Sequence, residues 1–352
     1  MKMSGLHRLA LTVAAVGFCA APAAAQDVAS FYKGKNIDVF IGYSPGGGYD
    51  SYARILARHM GKFIPGNPTM TPRNMPGAGS LTLTNALAST LPKDGSAFGT
   101  VARAAAFEPL WGNAQAKYDP TKFNWIGSMN NEVSICAFWE SAGLKSTEQF
   151  MTTPLVVGGT GPGADTDNFP MALNNVLGTK LKLITGYPGG NDVNLAIERG
   201  EVQGRCGWSW SSVKATRPAW LEQKKIFIPV QFALERHADL PNVPLVLDLA
   251  KTPEQRQILE VIVSGQPMGR PYVAPPGVPA ERVKALREAF NTMMKDPAFI
   301  AEAVKGDIEL ELVTGQAVEK IVANVAAMPK EILTKAKEAS TKPGATQIEK
   351  KN

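Results

Sequence analysis

The stretch Ile37–Gly61, IDVFIGYSPGGGYDSYARILARHMG, limits the fold of this chain more than any other. Ile37, Val39, Phe40 and Ile41 around Asp38 read as a short buried strand. Ser44-Pro45-Gly46-Gly47-Gly48 follows, and three glycines fill no core. They let the backbone take conformations that other residues resist and turn N–H groups towards open space. Tyr52, Ile55, Leu56 and Met60 then fall at helical spacing, with Gly61 as the stop and Asp50 or Ser51 as the expected cap. Strand, glycine loop and helix start form a ready anion site, because free N–H groups and the positive end of the helix dipole face one spot. The dinucleotide fingerprint fails at Ser51, where its third glycine would stand, and no Gly-Lys-Ser/Thr follows as in a P-loop. A small carboxylate or a phosphate remains, beside the plainer reading of a tight turn.

Residues 1–25 read as an export signal: Lys2 and Arg8, an apolar run Leu9–Ala21 too short to span a bilayer, and a small-residue cut after Ala25. Removing 25 of the 352 residues leaves 327, enough for two domains. Without Lys2 and Arg8, 35 basic residues face 31 acidic ones. The resulting charge of +4 is scattered, with no block of the kind that binds nucleic acid, and it modestly favours anionic ligands. Cys136 and Cys206 remain after Cys19 is cut away. In an oxidising compartment an even pair reads as a disulfide, the alternative being two buried thiols.

The pattern of strand, glycine turn and helix recurs. Asn74-Met75-Pro76-Gly77-Ala78-Gly79 feeds a helix over 81–91, and Arg103 ends the strand over 97–102. That edge is where open α/β sheets bind ligands, so Arg103 is either a carboxylate partner or an exposed structural arginine. The strand over 155–158 enters Gly159-Thr160-Gly161-Pro162-Gly163-Ala164-Asp165-Thr166, and a helix over 168–177 follows. A third such unit holds Tyr187-Pro188-Gly189-Gly190-Asn191-Asp192. The strand over 202–206 runs into Gly207-Trp208-Ser209-Trp210, whose two tryptophans, at i and i+2, either wall a cleft or belong to a core. In the last third, helices are expected over 252–263, 280–295 and, as one long element, 315–338. Two βα lobes with glycine turns at their strand ends imply a ligand held between them. The expected division is 26–120 plus 229–352 in one lobe and 121–228 in the other, with crossings near 111–123 and 225–232.

Taken in order, these motifs resemble the Bug-type (TctC-like) periplasmic solute-binding receptors of tripartite tricarboxylate transporters. The resemblance rests on Phe31-Tyr32-Lys33-Gly34-Lys35, Pro45-Gly46-Gly47-Gly48-Tyr49-Asp50, Asn74–Gly79, Lys93-Asp94-Gly95, Gly159–Gly163, Tyr187-Pro188-Gly189-Gly190 and Gly200-Glu201-Val202. It implies a two-lobe type II Venus flytrap, each lobe a mainly parallel sheet flanked by helices, without catalysis or cofactor. Such a monomer hands its ligand to integral-membrane transporter subunits. The resemblance places one ligand carboxylate on the first loop, Tyr43, Ser44, Pro45, Gly46, Gly47, Gly48, Tyr49 and Asp50, with Ala78 and Arg103 beside it. The far end would meet Thr160, Gly161, Gly163, Ala164, Asp165 and Thr166, together with Tyr187, Gly189, Gly190 and Asn191. Grip in that family is largely by backbone N–H groups and ordered water. This sequence departs at Asp165 and Asp167 and in the aromatic run Trp208 and Trp210. An Asp165 carboxylate would repel a second ligand carboxylate, which disfavours a tricarboxylate, unless it caps its helix or faces solvent.

An exported enzyme is poorly supported. His59 and His237 have no metal-ligand spacing, and Gly207-Trp208-Ser209-Trp210-Ser211 lacks the closing glycine of a nucleophile elbow. A sensor that shows its closed form to a membrane signalling partner would use the same binding chemistry.

Overall fold

The computed structural model describes residues 28–341 and the strand at 347–349; the export signal lies outside them. Val39 and Ile41 sit in one core with Tyr52, Leu56 and Phe290, whereas Phe40 sits in another with Leu83 and Leu87. A strand buried on both faces belongs to a doubly wound sheet, with helices above and below.

Two six-stranded sheets result, ordered β11-β4-β10-β3-β1-β2 and β12-β7-β6-β8-β5-β9. The first takes β1 (Asn36–Ile41), β2 (Thr69–Asn74), β3 (Ala97–Thr100), β4 (Asn124–Ser128), β10 (Pro271–Ala274) and β11 (Val313–Thr314). The second takes β5 (Ser134–Trp139), β6 (Leu155–Gly158), β7 (Leu181–Thr185), β8 (Gly204–Ser209), β9 (Ile226–Phe232) and β12 (Gln347–Glu349). Strands β2, β1 and β3 are parallel and β10 runs against β3 and β4. In the second sheet β7, β6 and β8 are parallel and β5 runs against β8 and β9. Both lobes thus share a plan in which three parallel strands, β2-β1-β3 or β7-β6-β8, are followed by one of opposite direction, β10 or β5.

Sheet membership differs from the expected residue ranges. β4 falls in the range assigned to the second lobe, yet it pairs with β10 and β11 of the first sheet. The chain crosses at 129–133, returns at 264–270 and crosses again at 327–329. The first two crossings run side by side: Met129 N–H donates to Arg270 O, Glu132 N–H to Gln266 O and Gly269 N–H to Asn130 O. The third explains why the expected single helix over 315–338 is two, Gly315–Ala326 and Lys330–Thr341. Pro329 offers no N–H and pushes Met328 out of the helical region. The first of these helices packs on β4, and the second on Pro253–Val263 and Asp165–Ala172 of the second lobe. Another helix, Pro297–Lys305, capped by Asp296, was not anticipated.

A disulfide joins Cys136 of β5 to Cys206 of β8. No helix among the described residues is long and apolar enough to cross a membrane.

Candidate ligand-binding site

Each lobe builds its glycine loop with the same device. In the first, Gly47 caps the helix Gly48–His59, not Asp50 or Ser51 as expected. Asp50 instead reaches back from the first turn and accepts from Gly46 N–H at 3.0 Å. Asn74 Nδ2 donates to Asp50 at 2.9 Å and to Tyr43 O at 2.8 Å, and Arg54 Nε donates to Asp50 at 2.8 Å. Burial alone would lift the Asp50 carboxyl, but the bonds from Arg54, Gly46 N–H and Asn74 outweigh it and hold the group below its usual range. In the second lobe, Ala164 caps the helix Asp165–Ala172, which starts three residues earlier than expected. Asp167 reaches back to Gly161 N–H at 2.9 Å, and Thr166 Oγ1 accepts from Thr160 N–H at 3.0 Å.

The loops meet across the cleft. Gly79 N–H donates to Thr160 O at 3.2 Å and Ser44 N–H to Pro188 O at 3.3 Å, and Ser44 Oγ donates to Asp192. A side chain at Gly161 would place its Cβ 2.7 Å from Gly79 N, and one at Gly189 would strike Ser44 Oγ. The lobes are therefore closed on each other, around a cavity of about 50 Å³.

From the first lobe, the cavity is lined by Tyr43, Gly47, Gly48, Tyr49 and Arg103 of the expected set. From the second it takes Thr160, Ala164, Asp165, Thr166, Gly190 and Trp208. Three helices point their N-termini at it: Gly48–His59, Asp165–Ala172 and Gly190–Glu198. The remaining expected residues lie elsewhere. Pro45 and Gly46 are exposed at the mouth, where Gly46 faces the Asn191 side chain. Ser44, Ala78, Gly161 and Gly189 form the contact between lobes, and Gly163 backs onto Glu108. Tyr187 packs in the second lobe's core and Asp50 holds its loop from behind. Trp210 leaves the cleft because β8 ends at Ser209: Trp210 starts a helix and donates to Asp239 at 3.0 Å.

Two arginines that the sequence reading passed over, Arg205 and Arg270, line the cavity beside Arg103. Their signal was a charge within, or directly before, an otherwise apolar strand. Arg103 is buried and its Nε lies 3.2 Å from Asp165 Oδ2. Its Nη1 donates to Gln266 Oε1 at 2.9 Å, and Gln266 Nε2 donates to Asp165 at 3.0 Å. So Arg103 does have a carboxylate partner, but that partner is the chain's own Asp165 from the facing lobe. Burial pushes the Asp165 carboxyl above its usual range, against the pull of Arg103. Arg270 pairs with Glu132 at 3.2 Å, donates to Ser209 Oγ at 2.9 Å, and lies 4.8 Å over the rings of both Tyr49 and Tyr52. Arg205 donates to Gly190 O at 2.8 Å and Asn194 Oδ1 at 3.1 Å, with its guanidinium 5.0 Å over the Trp208 ring. Burial pulls its pKa down to about 9. At neutral pH it still carries its charge.

Outside the cleft, His237, Asp239 and Glu309 lie together, but Lys214 Nζ is bonded to both acids and already supplies the positive charge between them.

The architecture is a two-lobe α/β fold of the kind periplasmic binding proteins have. No protein-family model matches the sequence. A UPF0065 protein of Cupriavidus necator is 28% identical over 345 residues, covering 93% of this chain and 94% of the relative. The periplasmic binding protein BugD is similar in structure, with TM-score 0.68 and 18% identity over 87% of this chain and 98% of BugD. MatC (Rpa3494) from Rhodopseudomonas palustris, solved with bound malate, gives TM-score 0.64 and 18% identity over 85% of this chain and 99% of MatC. The likeness to Bug-type receptors carried by the sequence motifs thus has its counterpart in the fold.

Proposed function

We propose that this chain is an exported solute receptor that closes on a small organic carboxylate and hands it to a membrane transporter without chemical turnover. The observation that carries this reading is the convergence of three helix N-termini, drawn from both lobes, on one closed cavity. Each presents free N–H groups and a positive dipole end, and the sum favours a negative ligand. A ligand touched by both lobes shifts the open–closed equilibrium by its differential affinity for the closed form. Closure would turn about the crossings at 129–133, 264–270 and 327–329. The malate bound to MatC supports the carboxylate class. The setting would be the periplasm, reached by a signal cut after Ala25, and the partners integral-membrane transporter subunits.

The test is a thermal-shift screen of residues 26–352, stripped of ligand by unfolding and refolding, followed by small-angle scattering. A carboxylate at 100 times its Kd should stabilise the protein by about 2.7 kcal/mol and compact it. Stabilisation by no carboxylate, with the refolded protein intact, would remove the reading. So would steady release of product from any bound acid.

A further inference from the structure

We propose that the cleft takes a monocarboxylate, with Arg205 gripping its one charged group and the neutral remainder lying against Tyr43, Tyr49 and the hydroxyls of Thr160 and Thr166. This rests on the carboxylate-receptor reading above and narrows it.

The argument is a charge balance within the cavity. Three guanidinium groups reach it, each nearly inaccessible: Arg103 at 3% exposure, Arg205 at 4% and Arg270 at 1%. Two are already neutralised, Arg103 by Asp165 and Arg270 by Glu132. Arg205 has, among the described residues, only neutral acceptors, Gly190 O and Asn194 Oδ1, and its buried Nε has no partner there. Among the described residues no carboxylate pairs with it. Another cation, Arg217, acts on it through space and lowers its pKa further; Arg217 itself is bonded to Asn191 and paired with Glu198.

Removing one charge from water without a counter-charge is costly, so a buried lone guanidinium is a site that still requires an anion. Gly190 lets its backbone pack close beside the guanidinium: a Cβ there would come within 2.9 Å of Arg205 Nη1. Trp208 covers one face of the guanidinium and holds its plane. A carboxylate bound at Arg205 completes the balance. A second carboxylate would meet Asp165, or would have to displace it from Arg103, in a cavity with little water to screen the repulsion. The arrangement adds a side-chain cation to the backbone grip that the family resemblance implies, and it selects by counting charges.

The test is isothermal titration calorimetry of residues 26–352, stripped by refolding, with acids matched in body and differing by one carboxylate. Suitable pairs are lactate with malate, propanoate with succinate and benzoate with phthalate. The monoanion of a binding pair should bind about tenfold or more tightly than its dianion. Asn194→Asp is the decisive variant. It keeps the acceptor 3.1 Å from Arg205 but supplies the missing counter-charge from within the chain. Affinity for the monoanion should fall about 100-fold while the ligand-free protein melts no lower than wild type. Arg205→Gln should lose affinity similarly; if it does not fold by circular dichroism, Asn194→Asp decides alone. Unchanged affinity in Asn194→Asp, or a dianion that binds as tightly as its partner, overturns the monocarboxylate assignment and leaves the carboxylate receptor standing. No binding by any of the six acids removes both.

Discussion

The two glycine loops use the same geometry and different electrostatics. In each, an aspartate in the first helical turn reaches back to a loop N–H, Asp50 to Gly46 and Asp167 to Gly161. Asp50 has a cation, Arg54, on its other side. Asp167 has none among the described residues; its further partners are the hydroxyls of Thr185 and Thr166. Burial therefore pushes the Asp167 carboxyl up, whereas the Asp50 carboxyl is held down. The first loop is fastened by a charge pair reaching the surface. The second is fastened by backbone and hydroxyl bonds inside the lobe. A hydrogen-bonded shape can thus be kept while its charge is changed to suit what lies next to it.

The largest difference between the lobes is the crosslink. Cys136–Cys206 closes a 70-residue span of the second lobe and fixes the strand that carries Arg205 and Trp208. Replacing both cysteines with serine should cost about 4 kcal/mol by chain entropy, read from urea unfolding of the refolded protein. Exchange protection should fall in β5, β6 and β8 before it falls in β1 and β3. Equal loss in both sheets would show that the lobes unfold as one unit.

Next come the loops themselves. Gly161 has φ +127 and no room for a Cβ, because Gly79 N stands 2.7 Å away. Gly161→Ala should lower affinity for a bound monocarboxylate about 100-fold and prevent compaction in scattering. Gly47 is looser: a Cβ there would meet Asn191 N at 3.8 Å, an ordinary contact. Gly47→Ala should stay within about threefold of wild type, while Gly47→Trp, which wedges the lobes apart, should abolish binding. Equal sensitivity of the two alanine variants would break the contrast drawn between the loops.

Much of this was legible from the chain and some was not, for reasons visible in particular residues. Strand, glycine turn and helix start are local, so β1 and its loop, or β6 and its loop, can be read from spacing and turn chemistry. The partner of Arg103 could not be read, since Asp165 arrives from the other lobe only when the fold is complete. Arg205 stands just before the aromatic run of Trp208 and Trp210 and has no local mark of its own; what marks it is the lack of a counter-charge among the described residues, and that is a three-dimensional fact. Trp210 was placed in the cleft by strand alternation, which fails one residue past Ser209 because a helix begins there. Pro329 was a break visible in the sequence, but amphipathic spacing ran through it on both sides.

The smallest expected effects give the sharpest test of the comparison, because they differ in sign. Asp50 has a lowered folded-state pKa, so its contribution is present above the unfolded value of about 3.9 and is lost as pH falls through the folded one. Asp167 has a raised folded-state pKa, so its contribution is full below about 3.9 and declines as pH rises through its folded value. Asp50→Asn should therefore destabilise by about 2 kcal/mol at neutral pH, leave Arg54 unpaired, and flatten the acid limb of the stability curve. Asp167→Asn keeps an acceptor for Gly161 N–H and removes a carboxyl that burial makes costly to ionise. It should change neutral-pH stability by less than about 1 kcal/mol, or raise it, and remove a decline on the alkaline side of the acid range. Chemical unfolding of both variants between pH 3 and pH 8, relative to wild type, reads the two slopes directly. Slopes of the same sign would mean that the two aspartates share one electrostatic setting, and that the loops differ only in shape.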